Sequence, residues 1–177
     1  MTEEEILKRI ANKDQLSRRE YLYVTEFARD CNFLVFGTGA DTEYWKLVNP
    51  NTIFLENETE WMVEDPNVFQ IEYTCNIMDA DFLSADFLMG VYDRLKITLP
   101  DIVHKTKWDT IFVDAPRGYR DPANHGRMQS IFMASQLAHS ETDIFIHDCN
   151  RHIEKTWANM IFKQNIKSID RLRHGKI

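Results

Sequence analysis

The residues best suited to chemistry sit at the ends of short apolar runs. Phe33-Leu34-Val35-Phe36 leads into Gly37-Thr38-Gly39-Ala40-Asp41. Two glycines permit a tight turn and let a ligand approach the backbone, and a helix starting beyond them would offer unpaired N–H groups. Glu56 closes the next run, Thr52-Ile53-Phe54-Leu55, and Asn57 follows it. A carboxylate there can accept hydrogen bonds from both hydroxyls of a ribose. Asp114 closes a run from Trp108 to Val113, and His147-Asp148 closes one from Asp143 to Ile146. Histidine is the usual general base near neutral pH. An imidazole with two carboxylates also suits a divalent cation. Asp114, His147 and Asp148 are therefore read together as candidate catalytic residues and as a candidate metal site.

Two further stretches are polar enough to hold a ligand. The segment from Asp114 to Arg127 carries Arg117, Tyr119, His125 and Arg127, which can hold a polar or anionic substrate. Asp79, Ala80 and Asp81 could meet an adenine edge, or Asp79 could simply cap a helix. Each feature has a plain structural reading as well. A lone G-x-G can be only a turn, Glu56 has acidic neighbours in Glu58, Glu60 and Glu64, and His147-Asp148 can cap the last helix. The argument for a site is their alignment. In an open α/β sheet the carboxyl ends of the strands share one crevice, and ligands bind there.

The elements that must create this alignment follow from periodicity. Residues 1–30 read as helical, with Ser17 and Glu20 at capping-box spacing and Leu22, Phe27 and Ala28 as an inward face. Strands are expected over 33–36, 52–55, 68–73, 108–113 and 143–146. Helices are expected over 41–47, 58–64, 86–95, 127–139 and 151–162. Continuous apolar strands alternating with helices imply a single Rossmann-like α/β domain over 1–177 with a mostly parallel sheet and helices on both faces. The C-terminus is expected to be shortened, with at most one more strand after residue 166. The basic tail of Lys163, Lys167, Arg171, Arg173, His174 and Lys176 reads as a solvated tail or edge strand.

Composition excludes several classes. A net charge of −7 disfavours a nucleic-acid partner. Three scattered cysteines form neither a zinc pattern nor a disulfide framework. No apolar run approaches the roughly 18 residues of a membrane span. The expectation is a soluble, cytoplasmic protein or a soluble domain of a larger one. P-loop, α/β-hydrolase and zinc-protease motifs are missing.

With these residues in view, the sequence resembles the glucuronoxylan 4-O-methyltransferase family of polysaccharide methyltransferases. The likeness is carried by Asn32–Asp41, Thr52–Asn57, Trp108-Asp109, Val113-Asp114-Ala115-Pro116-Arg117-Gly118-Tyr119, Gly126-Arg127-Met128, and Phe145-Ile146-His147-Asp148 with Arg151. It implies a class I methyltransferase fold, S-adenosylmethionine as methyl donor and a sugar hydroxyl of a glycan as acceptor. On that reading Gly37, Thr38, Gly39, Asp41, Glu56 and Asn57 hold the donor, with Asp79, Ala80 and Asp81 near its adenine. Asp114, His147 and Asp148 remove the hydroxyl proton or bind a metal. The alternatives are a nicotinamide-dependent oxidoreductase, a non-catalytic Rossmann-like binding domain and an RNA 2′-O-methyltransferase. Thr42, standing where a dinucleotide fingerprint has its third glycine or alanine, counts against the first.

Overall fold

A computed structural model describes residues 2–11, 15–118 and 121–177. Two helices come first, α1 (Glu3–Ile10) and α2 (Arg18–Ala28). Both start on a reciprocal capping box, Thr2 with Glu5 and Ser17 with Glu20, which satisfies two donors at the helix N-terminus. α2 turns Tyr21, Val24 and Ala28 inward, while Leu22 is 42% exposed and belongs to its outer side. The inward face expected at Leu22 is therefore shifted by one residue.

The five expected parallel strands are present: β1 (Phe33–Phe36), β2 (Ile53–Glu56), β3 (Val68–Gln70), β4 (Thr110–Val113) and β5 (Asp143–Ile146). They are completed by a hairpin, β6 (Gln164–Ile169) and β7 (Leu172–Lys176). The sheet order is β3-β2-β1-β4-β5-β7-β6, with β7 antiparallel to both β5 and β6. The expectation of at most one strand after residue 166 is overturned. A two-residue turn with Asp170 at φ 49 reverses the chain, so two strands fit where one was expected. Aspartate tolerates this left-handed conformation better than most residues. β6 is the edge strand, and β7 is interior, its His174 ring stacked on Phe145 at 4.3 Å.

Alternation along the strands divides the core. Phe33 and Val35 face α1, α2 and α3 (Thr42–Val48), packing with Tyr21 and Trp45. Leu34 and Phe36 face the opposite layer of α4 (Ala80–Met89), α5 (Asp101–Lys105), α6 (Met128–Leu137) and α7 (His152–Ile161). All four residues of β1 and of β4 are buried, as strands covered on both faces must be. Two other expectations shift. Thr59–Trp61 is a 3₁₀ turn rather than a helix over 58–64. The helix expected over 86–95 lies at Ala80–Met89, because an Asn76–Asp79 capping box opens the preceding turn and Gly90, at φ 75, closes the helix.

Gly175 in β7 lies under the ring of Phe162, where an added Cβ would come within 2.7 Å of Cγ. Gly175→Ala overpacks this contact. We expect a loss of about 1–3 kcal/mol, read as a lowered midpoint in thermal unfolding.

Candidate active site

The carboxyl ends of β1, β2, β4 and β5 open on one cavity of about 250 Å³. Thr38, Gly39, Ala40, Asp41, Glu56 and Asn57 line one side, and Asp114, Arg117, Arg127, His147, Asp148 and Arg151 the other.

The glycine turn is built by packing as much as by conformation. Gly37 has φ 117, and an added Cβ would stand 2.8 Å from that of Ala115. Only glycine lets the turn after β1 pass this close to the turn after β4. Gly39 has room: an added Cβ would meet nothing nearer than Asp41 Oδ1 at 3.6 Å. Its N–H donates to Thr42 Oγ1 at 2.8 Å, so the residue at the third fingerprint position closes the turn with its hydroxyl. Glu56 is 3% exposed. Its Oε2 accepts from Thr38 N and Oγ1 at 2.8 and 3.0 Å, and its Oε1 accepts from Asn57 N and Glu58 N, both at 2.7 Å. This carboxylate ties the loops after β1 and β2 together. Beside it, Asn57 Oδ1 is buried without a partner.

Across the cavity, Arg127 is buried and bridges two carboxylates. Its Nη2 lies 3.1 Å from Asp114 Oδ1 and 2.9 Å from Asp148 Oδ2. Its Nη1 donates to the His147 carbonyl at 2.9 Å, and its Nε to that of Pro116 at 3.3 Å. Asp148, at φ 58, also takes Arg151 at 2.9 Å and Arg171 at 3.4 Å. Three guanidiniums thus surround it. Asp114 is different. Its Oδ1 takes His147 Nδ1 at 2.8 Å as well as Arg127, its other oxygen meets no donor among the described residues, and its side chain is 21% exposed. Burial alone would raise its carboxyl, but His147 and Arg127 outweigh that and hold it below the ordinary aspartate range. The His147 ring has its Nε2 buried without a hydrogen bond, 3.9 Å from Glu20 Oε1.

The three candidate metal ligands do converge, with donor atoms of Asp114, His147 and Asp148 within 4.8 Å of one another. Arg127 already occupies the position between the two carboxylates and supplies their counter-charge. As arranged, the donor set does not fit a divalent cation unless Arg127 is displaced.

Other expected residues fall elsewhere. His125 Nδ1 is bound to the Cys75 carbonyl at 2.7 Å, and its ring leans on Tyr73. Asp79 accepts from Asn76 N at 2.9 Å as part of a capping box. Neither they nor Ala80 and Asp81 line the cavity. Tyr119 lies outside the described residues. Arg117 reaches the rim, 3.3 Å from Glu60 and with its guanidinium 5.7 Å from the centre of the Trp61 ring. Sequence reading assigned no role to Trp61 or Arg151, which line the cavity. Trp61 offered a signal, a large aromatic among the glutamates that follow Glu56.

Known proteins can now be set against this geometry. Residues 20–174 match the family model described as IRX15/IRX15L/GXM. The chain belongs to this family. Its relatives include arabinogalactan O-methyltransferase 2 of Arabidopsis thaliana, 33% identical over 83% of this chain and 60% of the relative. Another is glucuronoxylan 4-O-methyltransferase 1 of the same plant, 34% identical over 81% of this chain and 60% of the relative. The chain thus spans about 60% of the length of these family members. Among solved structures, MycE methyltransferase of the mycinamycin biosynthetic pathway, in complex with Mg and SAH, superposes with a TM-score of 0.52. It is 11% identical over 97% of this chain and 53% of that one. The fold is that of a class I methyltransferase. No helix among the described residues is long and apolar enough to cross a membrane.

Asp41 gives the donor side a measurable signature. It is 8% exposed and accepts from Trp45 Nε1 at 2.8 Å. Burial, reinforced by the charge of Asp114, pushes its carboxyl from 3.8 up to about 6. The folded protein therefore binds a proton that the unfolded chain has already released. Stability is greatest below the unfolded value, falls as pH rises from about 4 to about 6, and stays lower above that. The loss is about 3 kcal/mol at most. Asn cannot ionise, so Asp41→Asn should raise Tm by several degrees at neutral pH and change it little near pH 4, a contrast that calorimetry at the two pH values checks.

Proposed function

We propose that this chain transfers a methyl group from S-adenosylmethionine to a sugar hydroxyl of a polysaccharide. The observation that carries the reading is a single cavity with two unlike walls. One wall is the glycine turn with Glu56 and Asp41, and the other presents the free oxygen of Asp114. Family membership supports it, since relatives are named as O-methyltransferases of glucuronoxylan and arabinogalactan.

The residues present fit the donor. Asp41 and Asp114 both line the cavity, and the charge of Asp114 raises the Asp41 carboxyl. A sulfonium or ammonium group placed there would relieve that repulsion. The orphaned Asn57 Oδ1 offers an acceptor to an amino or hydroxyl group. Glu56 acts by fixing Thr38 and the Asn57-Glu58 turn that border the ribose, and Gly39 leaves the approach open. When bound, the donor supplies an activated methyl carbon whose leaving group is a neutral thioether.

The chain's own residues then have to hold the acceptor in line and take its proton. A sugar hydroxyl is a weak acid, so a base must receive the proton as the new O–CH₃ bond forms. Asp114 is placed for this. Its free oxygen meets the hydroxyl while His147 and Arg127 fix the other. Asp148 is committed to three arginines and acts by holding Arg127. The rim residues Arg117 and Trp61 offer a charge and an aromatic face to the sugar. Alignment of the two reactants supplies much of the rate. The balance is simple: the hydroxyl gains a methyl group, its proton passes through Asp114 to solvent, and the donor leaves as S-adenosylhomocysteine.

Calorimetry should show S-adenosylmethionine binding at micromolar to millimolar concentration. Binding of NADH in its place would overturn the reading. With glucuronoxylan or arabinogalactan oligosaccharides as acceptors, Asp114→Asn should lower kcat by roughly 10²–10⁴-fold. An unchanged kcat would remove Asp114 as the base.

A further inference from the structure

We propose that Arg117 closes a strap over the donor side of the cavity and gates the passage of donor and donor product, an inference that rests on the donor assigned above. In the sheet, β1 stands between β2 and β4. The glycine turn that follows β1 is flanked from both sides: Gly37 N donates to the Leu55 carbonyl of β2 at 2.8 Å, and Gly37 packs against Ala115 beyond β4. The loops after β2 and β4 therefore stand on either side of that turn, and they meet across it through side chains. Arg117, from the loop after β4, places Nη2 3.3 Å from Glu60 Oε1 and its guanidinium 5.7 Å from the centre of the Trp61 ring. Glu60 and Trp61 both belong to the loop after β2. Neighbouring strands lie about 5 Å apart, so the span from β2 to β4 is about 10 Å, and only long side chains cross it. Thr38, Gly39, Trp61 and Arg117 line the same cavity, so the bridge lies over the space next to the glycine turn.

One end of the strap is pinned and the other is loose. The Trp61 carbonyl accepts from Thr38 Oγ1 at 2.7 Å, and Thr38 is itself held by Glu56. The Arg117 guanidinium makes no other ion pair among the described residues, and its side chain and that of Glu60 are both more than half exposed. Exposed ion pairs and exposed cation–π contacts are each weak. Together they favour the closed strap by roughly three- to thirtyfold. That is firm enough to slow passage and loose enough to open in every cycle, as gating side chains and loops do. Trp61 and Arg117 also keep an outer face toward solvent, where a sugar can still meet them.

The test is how fast S-adenosylhomocysteine enters and leaves the whole chain, followed with labelled ligand by rapid mixing and by chase with excess unlabelled ligand. Arg117→Ala should raise association and release alike, roughly three- to thirtyfold. Kd should stay within about twofold, because a gate acts equally on entry and exit. Glu60→Gln should raise both rates by a smaller factor, since the contact with Trp61 remains. The double variant should be no faster than Arg117→Ala alone, as the two residues make one contact. Glu64→Gln removes the same charge from an exposed position of the same loop, outside the strap, and should change neither rate. Circular dichroism should show the fold kept in every variant. Faster release with unchanged association would make Arg117 a direct ligand contact and overturn the strap. Unchanged rates on Arg117→Ala, additive effects in the double variant, or an equal rise on Glu64→Gln would also overturn it, while the donor assignment stands as long as the wild-type chain binds. A wild-type chain that binds no S-adenosylhomocysteine would overturn the donor assignment, and the strap with it.

Discussion

The buried guanidinium of Arg127 is the interaction on which the wall of Asp114, His147 and Asp148 depends. It meets Asp114 at the end of β4, Asp148 beyond β5, and the carbonyls of Pro116 and His147. Without a cation there, two buried carboxylates would face each other across a few ångströms, an arrangement that costs several kcal/mol. With it, one carboxylate oxygen of Asp114 is immobilised and the other is left toward the cavity. Sequence reading had given Arg127 to the acceptor. Its contacts make it the side chain that fixes the position of Asp114.

The donor wall is organised on the opposite principle. Glu56 is saturated with backbone and hydroxyl donors from Thr38, Asn57 and Glu58, so the turn is shaped before any ligand arrives. Asp41 makes no ion pair among the described residues, and burial together with the charge of Asp114 raises its carboxyl. A site that keeps an ionisable group poorly satisfied gives up stability in the empty protein and recovers it when a cationic ligand enters.

Much of this was legible in the residues. Buried parallel strands read as unbroken apolar runs, and Gly37, Glu56, Asp114 and His147-Asp148 each follow such a run, so their meeting in one cavity follows from the fold class alone. What escaped was set by contacts rather than by pattern. Asp148 looked equivalent to Asp114 until Arg151 and Arg171 were seen to enclose it. His125 and Asp79 lie away from the cavity, each in a local hydrogen bond that no periodicity announces. α4 was misplaced because its apolar residues fall on both its inner and its outer side and show no clear period, and only its capping residues mark its ends. The terminal hairpin was missed because Asp170, not glycine, takes the left-handed turn position.

The meeting of α2 with that hairpin has a consequence for assembly. Glu20 Oε1 accepts the backbone N–H of Arg171 at 2.8 Å across 151 residues, Ser17 Oγ donates to Asp170, and the Arg171 carbonyl accepts from Cys149 N. These bonds lie directly beneath His147. A ribosome releases α2 before the hairpin, so Glu20 waits for its partner while the 151 residues up to Arg171 are made. Contacts this distant in sequence are slow to close. The nascent chain can pair its parallel strands first, and His147 gains its final surroundings only when the β6–β7 turn folds back onto α2.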